Sequence, residues 1–325
     1  MRAATFSKTG PAREVLHVGD VPTPEPGPGE VRIRIAASGV NPSDVKRRNA
    51  APAGSPAEFR VVIPHSDGAG TIDAVGAGVD PTRIGQRVWT YNAQFGRANG
   101  TAAEFVALRA DFAVPLPDGT DFAAGACLGV PAMTAYQAIA IDGSVAGQTL
   151  LIQGGAGAVA FYAIQFAKAG GATVIATVSS EAKAAVARRA GADHTIDYKT
   201  ENVAERVRAL NGGERVDRII EVDLAGNGMS YPTLLKEHSK AVVYGSGGAE
   251  IRIPSAFIRQ ATTLEFFIVY TLRDHEREAG FAYLDAMMRA GTLQHHLGER
   301  FPLDRIVEAH EAVERGSNGN IIVEP

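Results

Sequence analysis

The sequence predicts an α/β protein with two lobes, a doubly wound parallel sheet and a smaller, mostly β, twisted barrel. Three observations carry this expectation. From Leu150 to Gly245, short apolar strand signals alternate with helical ones, the pattern of parallel strands joined by crossover helices. A glycine-rich turn containing Gly154, Gly155 and Gly157 follows the first of these strands. Residues 1–120 instead carry short strand signals separated by Gly, Pro and Asn, and 325 residues exceed one average domain.

In chain order, residues 31–36 (VRIRIA) alternate apolar and charged side chains as a half-buried strand does, after a Pro/Gly turn at 22–29. Further strands are expected at 70–75, 87–91, 103–108 and 112–115. The polar stretch 41–64, with Lys46, Arg47 and Arg48, reads as a solvated loop or short helix. Residues 121–141 are Ala-rich and helical, interrupted by Gly129 and Pro131, and mark the crossing into the second lobe. Strands at 150–152, 172–178, 194–198, 216–222 and 241–245 then alternate with helices at 158–169, 181–190, 201–210 and 231–238. The run 264–270 (LEFFIVY) is the expected last strand, and 274–290 an amphipathic helix with Phe281, Leu284, Met287 and Met288 at helical spacing. A helix at 303–315 and a strand at 320–323 return to the first lobe. The expected domains are therefore 1–121 with 271–325, and 122–270.

Composition narrows the function. With 45% hydrophobic and 21% charged residues and a net charge of −4, the chain has no electrostatic footprint for nucleic acid or an acidic membrane. A single cysteine, Cys127, excludes an internal disulfide framework and a cysteine-rich zinc site, and fits a reducing cytoplasm. There is neither a signal-peptide pattern nor an 18-residue apolar run, so a cytoplasmic protein without a membrane span is expected.

The segment 150–170 reads strand, turn, helix. Within it Gly155, Ala156, Gly157, Ala158, Val159 and Ala160 fit G-x-G-x-x-A, whose small residues let backbone approach a pyrophosphate at a helix N-terminus. An acid at the end of the second strand would select the unphosphorylated dinucleotide. Here that position reads Thr177, Val178, Ser179, Ser180, with Lys183 one turn on, and the third strand ends at Tyr198 and Lys199. Hydroxyls and a lysine without a carboxylate accept a 2′-phosphate, so NADP(H) is the expected cofactor. Ser179 and Ser180 also suit the helix cap before Glu181.

These residues resemble the medium-chain dehydrogenase/reductase superfamily, and within it the zinc-free quinone oxidoreductases that include zeta-crystallin. The resemblance runs end to end. Gly39-Val40-Asn41-Pro42, Asp67-Gly68-Ala69-Gly70, the stretch 129–136 (GVPAMTAY), Ile219-Ile220-Glu221, Val243-Tyr244-Gly245-Ser246 and Gly316-Ser317 fall in matching order. It implies a Rossmann domain for the parallel sheet and a GroES-like fold for the other lobe. It also implies cofactor contacts. The pyrophosphate would lie at Gly155, Ala156, Gly157, Ala158 and Val159, and the 2′-phosphate at Ser179, Lys183 and Tyr198. The nicotinamide half would lie at Asn227, Tyr244, Gly245, Ser246, Phe267, Ile268 and Val269, with Asn41 and Thr134 near the reactive ring. Lys46 stands where many relatives carry a tyrosine near the nicotinamide, His65 replaces a common glycine, and Asn320, counted among the cofactor contacts, replaces a common lysine near the C-terminus.

Related alcohol dehydrogenases bind a catalytic zinc. The matching positions here are Asn41 and Ser66, neither a normal zinc ligand, so no metal is expected. Without a Lewis acid, reduction of a conjugated acceptor is easier than oxidation of a simple alcohol. The expected function is NADPH-dependent reduction of a quinone or related enone, with Asn41, Lys46, Tyr91 and Thr134 as candidates for orienting or protonating it. An enoyl-thioester or alkenal double-bond reductase is the alternative within this chemistry, and an NADPH-binding protein with little catalysis the alternative outside it. The apolar edge strand 264–270 further implies a homodimer paired across a two-fold axis.

Overall fold

The structure is a computed structural model that describes residues 1–325. By contact density the chain divides into two compact units, Met1–Pro131 with Phe281–Pro325, and Ala132–Gly280.

The first unit is mostly β. Its central strand, Glu30–Val40, buries Val31, Ile33 and Ile35 on one face while Arg34 and Ala36 face outward, as the alternation predicts. It pairs antiparallel with Asp67–Val75, Phe105–Arg109 and Asn320–Glu324. Arg87–Thr90 and Ala113–Pro115 extend the sheet beyond Asp67–Val75. Leu297–Pro302 pairs with the closing strand, and Arg2–Thr5 with His17–Asp20. Val31, Ile33, Ile35, Ile72, Val88, Val106 and Leu108 form one core cluster. Three of these strands have no expected counterpart. Arg2–Thr5, His17–Asp20 and Leu297–Pro302 are short, and the last two are largely exposed, so they carry no apolar alternation.

The second unit is a six-stranded sheet in the order 194–197, 173–178, 149–152, 216–221, 235–243, 263–266. Every neighbouring pair is parallel. Numbered along the chain this is 3-2-1-4-5-6, the order of dinucleotide-binding sheets, with the switch point between Thr149–Ile152 and Val216–Glu221. Leu151, Ile175, Ile196, Ile219, Ala241 and Val243 lie in a single core cluster, which accounts for the continuous apolar runs in these strands.

Four expectations need correction. The helix expected at 231–238 is only Tyr231–Leu234. Leu235 then starts a strand, Leu235–Val243, with His238 at φ 57° where the register shifts. The apolar spacing of Tyr231, Leu234 and Leu235 imitates a helix face, but all three are buried in the sheet's core. The strand expected at 264–270 ends at Phe266 and gives way to a tight turn over Val269–Thr271.

The polar stretch does contain a short helix, Pro42–Arg48, yet it is not a solvated face, because Asp44 and Arg48 are buried. Finally, the divisions fall at 131/132 and 280/281 rather than 121/122 and 270/271. Val130 N–H donates to Asp67 Oδ1 (2.8 Å), and a Cβ on Gly125 would lie 2.8 Å from Ala69 Cβ, tying 122–131 to the first unit. Gln137 donates to Glu276 (3.2 Å), and a Cβ on Gly280 would lie 2.6 Å from Met133 Cε, tying 271–280 to the second.

Candidate active site

In the second unit every expected cofactor residue except Thr134 lies just beyond a strand's carboxyl end. Gly155, Ala156, Gly157, Ala158 and Val159 follow Thr149–Ile152, while Ser179 and Lys183 follow Thr173–Val178. Tyr198 follows His194–Asp197, and Asn227 follows Val216–Glu221. Tyr244, Gly245 and Ser246 follow Leu235–Val243, and Phe267, Ile268 and Val269 follow Thr263–Phe266. Because the strands are parallel, the topology gathers these residues on one edge of the sheet. Thr134 is buried in the first turn of Met133–Ala140.

The glycine turn is built from backbone. Gly154 has φ 66°, and its N–H donates to Thr177 Oγ1 (3.0 Å). The Thr177 hydroxyl in turn donates to the buried Gln153 Oε1 (2.6 Å), and Gly155 N–H donates to Thr177 O (2.8 Å). A Cβ on Gly155 would lie 2.7 Å from Ala176 Cβ, so only glycine permits this approach. Helix Ala158–Ala169 begins at Gly157 with no side-chain cap, leaving its first N–H groups for an anion. Ser180 caps Glu181–Arg189 through Lys183 N–H, while the side chains of Lys183 and Tyr198 are exposed.

At the switch point stands Glu221, wholly buried. It accepts from the Tyr231 hydroxyl, from Asn227 Nδ2 (3.0 Å) and from Asp223 N–H (2.5 Å). Burial raises its pKa against those donors, and burial together with Glu221 keeps the Tyr244 phenol protonated. A Cβ on Gly245 would lie 2.2 Å from Val222 O, which brings the ends of the two strands together. Sequence reasoning names Asn227 as a cofactor contact and quotes Glu221 within a matching motif without giving it a role; it does not single out Gln153, whose amide acts only through the Thr177 hydroxyl.

In the first unit Asn41 is buried at the start of Pro42–Arg48. Its N–H donates to Asp44 (2.7 Å) and its Nδ2 to Asp67 Oδ2 (2.8 Å). Asp67 also receives Val130 N–H, and a Cβ on Gly129 would lie 2.3 Å from its Oδ1. Burial pushes Asp67 well above the usual carboxylate range and Asp44 to about 7. Lys46 is exposed on the same helix. Two further candidates have partners within the first unit. Tyr91 is only 2% exposed and lies edge-on between Phe112 and Phe281, a core position. Asn320 directs Nδ2 to His296 O (3.1 Å), a bond that ties the start of the last strand to residue 296.

Residues 158–284 match the family model described as zinc-binding dehydrogenase, and residues 27–118 that described as alcohol dehydrogenase GroES-like domain. Over 321 residues the chain is 31% identical to the quinone oxidoreductase of Homo sapiens, which spans 98% of this chain and 95% of that protein. The chain belongs to the zeta-crystallin-like quinone oxidoreductases of the medium-chain dehydrogenase/reductase superfamily. As a member of that family it is an oxidoreductase.

Two solved structures match this quinone oxidoreductase family member over 100% of both chains at 27% identity. One is a mycobacterial protein complexed with NADPH, at TM-score 0.88, the other an NAD-dependent alcohol dehydrogenase, at TM-score 0.90. The zinc named in the family description does not suit the donors present. Asn41 and Ser66 offer an amide and a hydroxyl where thiolate and imidazole would be needed, and no group of three or more His, Cys, Asp or Glu is placed to hold a metal ion.

Proposed function

We propose that the chain is an NADPH-dependent reductase of quinones or related α,β-unsaturated carbonyls that works without zinc. The observation that carries this reading is the convergence of the second unit's candidate residues on the carboxyl edge of its parallel sheet. The edge fits the cofactor. Its uncapped helix start and glycine turn would hold the pyrophosphate, and Ser179, Lys183 and Tyr198 would hold the 2′-phosphate, with no carboxylate ending Thr173–Val178 to repel it. When bound, NADPH supplies hydride to an electrophilic carbon.

The chain's own part is to bind, orient and exclude water. Asn41 is held by Asp67 and so orients rather than donates a proton. Lys46, exposed and cationic, is the better source of the proton that the reduced acceptor takes. The exposed Phe266 and Ile268, at the edge strand and just past its end, support pairing with a second copy. Sedimentation as a monomer at micromolar concentration contradicts that pairing.

The test is a panel of quinones, alkenals and enoyl thioesters assayed with NADPH and with NADH, following dihydronicotinamide absorbance. Quinone turnover with NADPH preferred is expected. Turnover confined to alkenals or enoyl thioesters reassigns the substrate, and tight NADPH binding without any turnover overturns the enzyme reading.

A further inference from the structure

Behind Asn41, the first unit holds a chain of buried polar side chains that the proposed reaction does not use. Arg48, fully buried, donates from Nη1 to His310 Nδ1 (3.0 Å). His310 Nε2 lies 3.0 Å from His65 Nε2, and His65 Nδ1 lies 2.8 Å from Ser38 Oγ. Ser38 Oγ lies 2.8 Å from Thr101 Oγ1, which donates to Asp67 O (2.6 Å). None of these side chains is exposed.

Elementary donor counting gives the chain one direction. A guanidinium can only donate and a carbonyl can only accept. His310 must therefore accept at Nδ1 and carry its proton on Nε2, His65 must accept at Nε2 and carry its proton on Nδ1, and each hydroxyl passes the same sense onward. Burial holds both imidazoles neutral, His65 at about 3 and His310 well below its usual range, as this pattern requires. With a permanent cation at one end and a carbonyl at the other, the chain has no exit for a proton. It is not a relay.

Its geometry is that of a ring. Arg48 ends the helix that Asn41 begins, and Asn41 Nδ2 donates to Asp67, whose carbonyl receives the last bond of the chain. The ring also grips a strained point. His65 has φ 78°, a left-handed conformation that costs a non-glycine residue, and its ring meets that of His310 edge to edge, nearly parallel at 25° with centroids 5.1 Å apart. Thr101 N–H binds the His65 carbonyl (3.0 Å), so the turn at 65–67 is held on both sides. Glu314 pairs with Arg48 and balances its charge.

We propose that His65 and His310 are positioning residues, which close this ring and thereby set where Asp67 holds the Asn41 side chain. Only the kinetic readout rests on the proposed reaction. His310→Leu breaks the ring at two bonds, whereas His310→Gln can still accept from Arg48 through Oε1 and donate to His65 through Nε2.

In quinone reduction, His310→Leu should lower kcat by about tenfold or more with KM for NADPH unchanged, because a small misplacement at a reacting site is costly. His310→Gln should restore kcat. An unchanged kcat in the Leu variant, a rise in KM for NADPH of the same size, or failure of Gln to rescue overturns the proposal.

Nitrogen-15 spectra decide the geometry independently of turnover. At neutral pH His65 should carry its proton on Nδ1 and His310 on Nε2, and the Asn41 side-chain amide resonances should shift in His310→Leu and return in His310→Gln. The opposite tautomers, or unmoved Asn41 resonances, overturn it. If the wild type reduces no quinone or enone, the proposed function fails while these spectra still decide the ring.

Discussion

The edge of the second unit and the buried centre of the first are assembled in opposite ways. The edge uses backbone. Glycines bring strands and turns within a Cβ radius of one another, the start of helix Ala158–Ala169 is left without a side-chain cap, and the charged side chains Lys183 and Tyr198's neighbour Lys199 stay in solvent. The first unit instead buries Asn41, Asp44, Arg48, His65, Asp67 and His310, and satisfies them through one another. A backbone site tolerates surface variation and fails when a Cβ is added. A side-chain site tolerates new Cβ atoms poorly too, but fails first when a donor or a charge state changes.

Substitutions can break this contrast. The largest effect is expected from Gly155→Leu, whose Cβ alone would meet Ala176 Cβ at 2.7 Å. Overpacking of this kind costs about 3 kcal/mol, visible in urea unfolding, and NADPH binding should be lost with it.

The charge states of Asp44 and His65 should act through the first unit. Asp44 is raised to about 7 from an unfolded value of about 4, so its contribution to stability is present below pH 4 and lost as pH rises through 7. His65 is lowered to about 3 from an unfolded value of about 6.5, so its contribution is present above pH 6.5 and lost as pH falls toward 3. Between pH 4 and 6.5 the two slopes oppose. Asp44→Asn should leave the acid side uncompensated and steepen the loss of stability by about 1.4 kcal/mol per pH unit, measured by urea unfolding at pH 6.5 and pH 5.

The smallest effect separates the two cofactors. Lys183→Ala should weaken NADPH binding about tenfold and leave NADH binding unchanged, as loss of one charge-assisted contact to a phosphate predicts. Equal weakening of both in a calorimetric titration would place the 2′-phosphate elsewhere.

The same contrast explains what is legible in the sequence. Backbone sites leave local marks: the spacing of Gly155 and Gly157, the absence of an acid from Thr177 to Ser180, and the βαβ alternation all fall within short windows. The place of the site follows from those marks and from the rule that ligands meet the carboxyl ends of parallel strands. The side-chain site leaves few. His65 and His310 are 245 residues apart and Arg48 and His310 are 262 apart, so no window contains either of these bonded pairs. One local signal was available, the spacing of Asn41 and Asp44, which is that of a capping box. The surroundings of Tyr91 are hidden for the same reason, since an aromatic beside a polar loop gives no sign that Phe112 and Phe281 flank it. The strand Leu235–Val243 is obscured by Leu234 and Leu235, which serve both a short helix and a strand.

The central claim is that the strand-end edge of the second unit seats NADPH. Hydrogen–deuterium exchange on the full chain, with and without saturating NADPH, tests it most directly. Protection is expected in peptides covering residues 153–160, 177–183 and 243–248, where open N–H groups and strand ends converge. Binding of NADPH that leaves those three segments as exchangeable as before, with protection elsewhere, would contradict it.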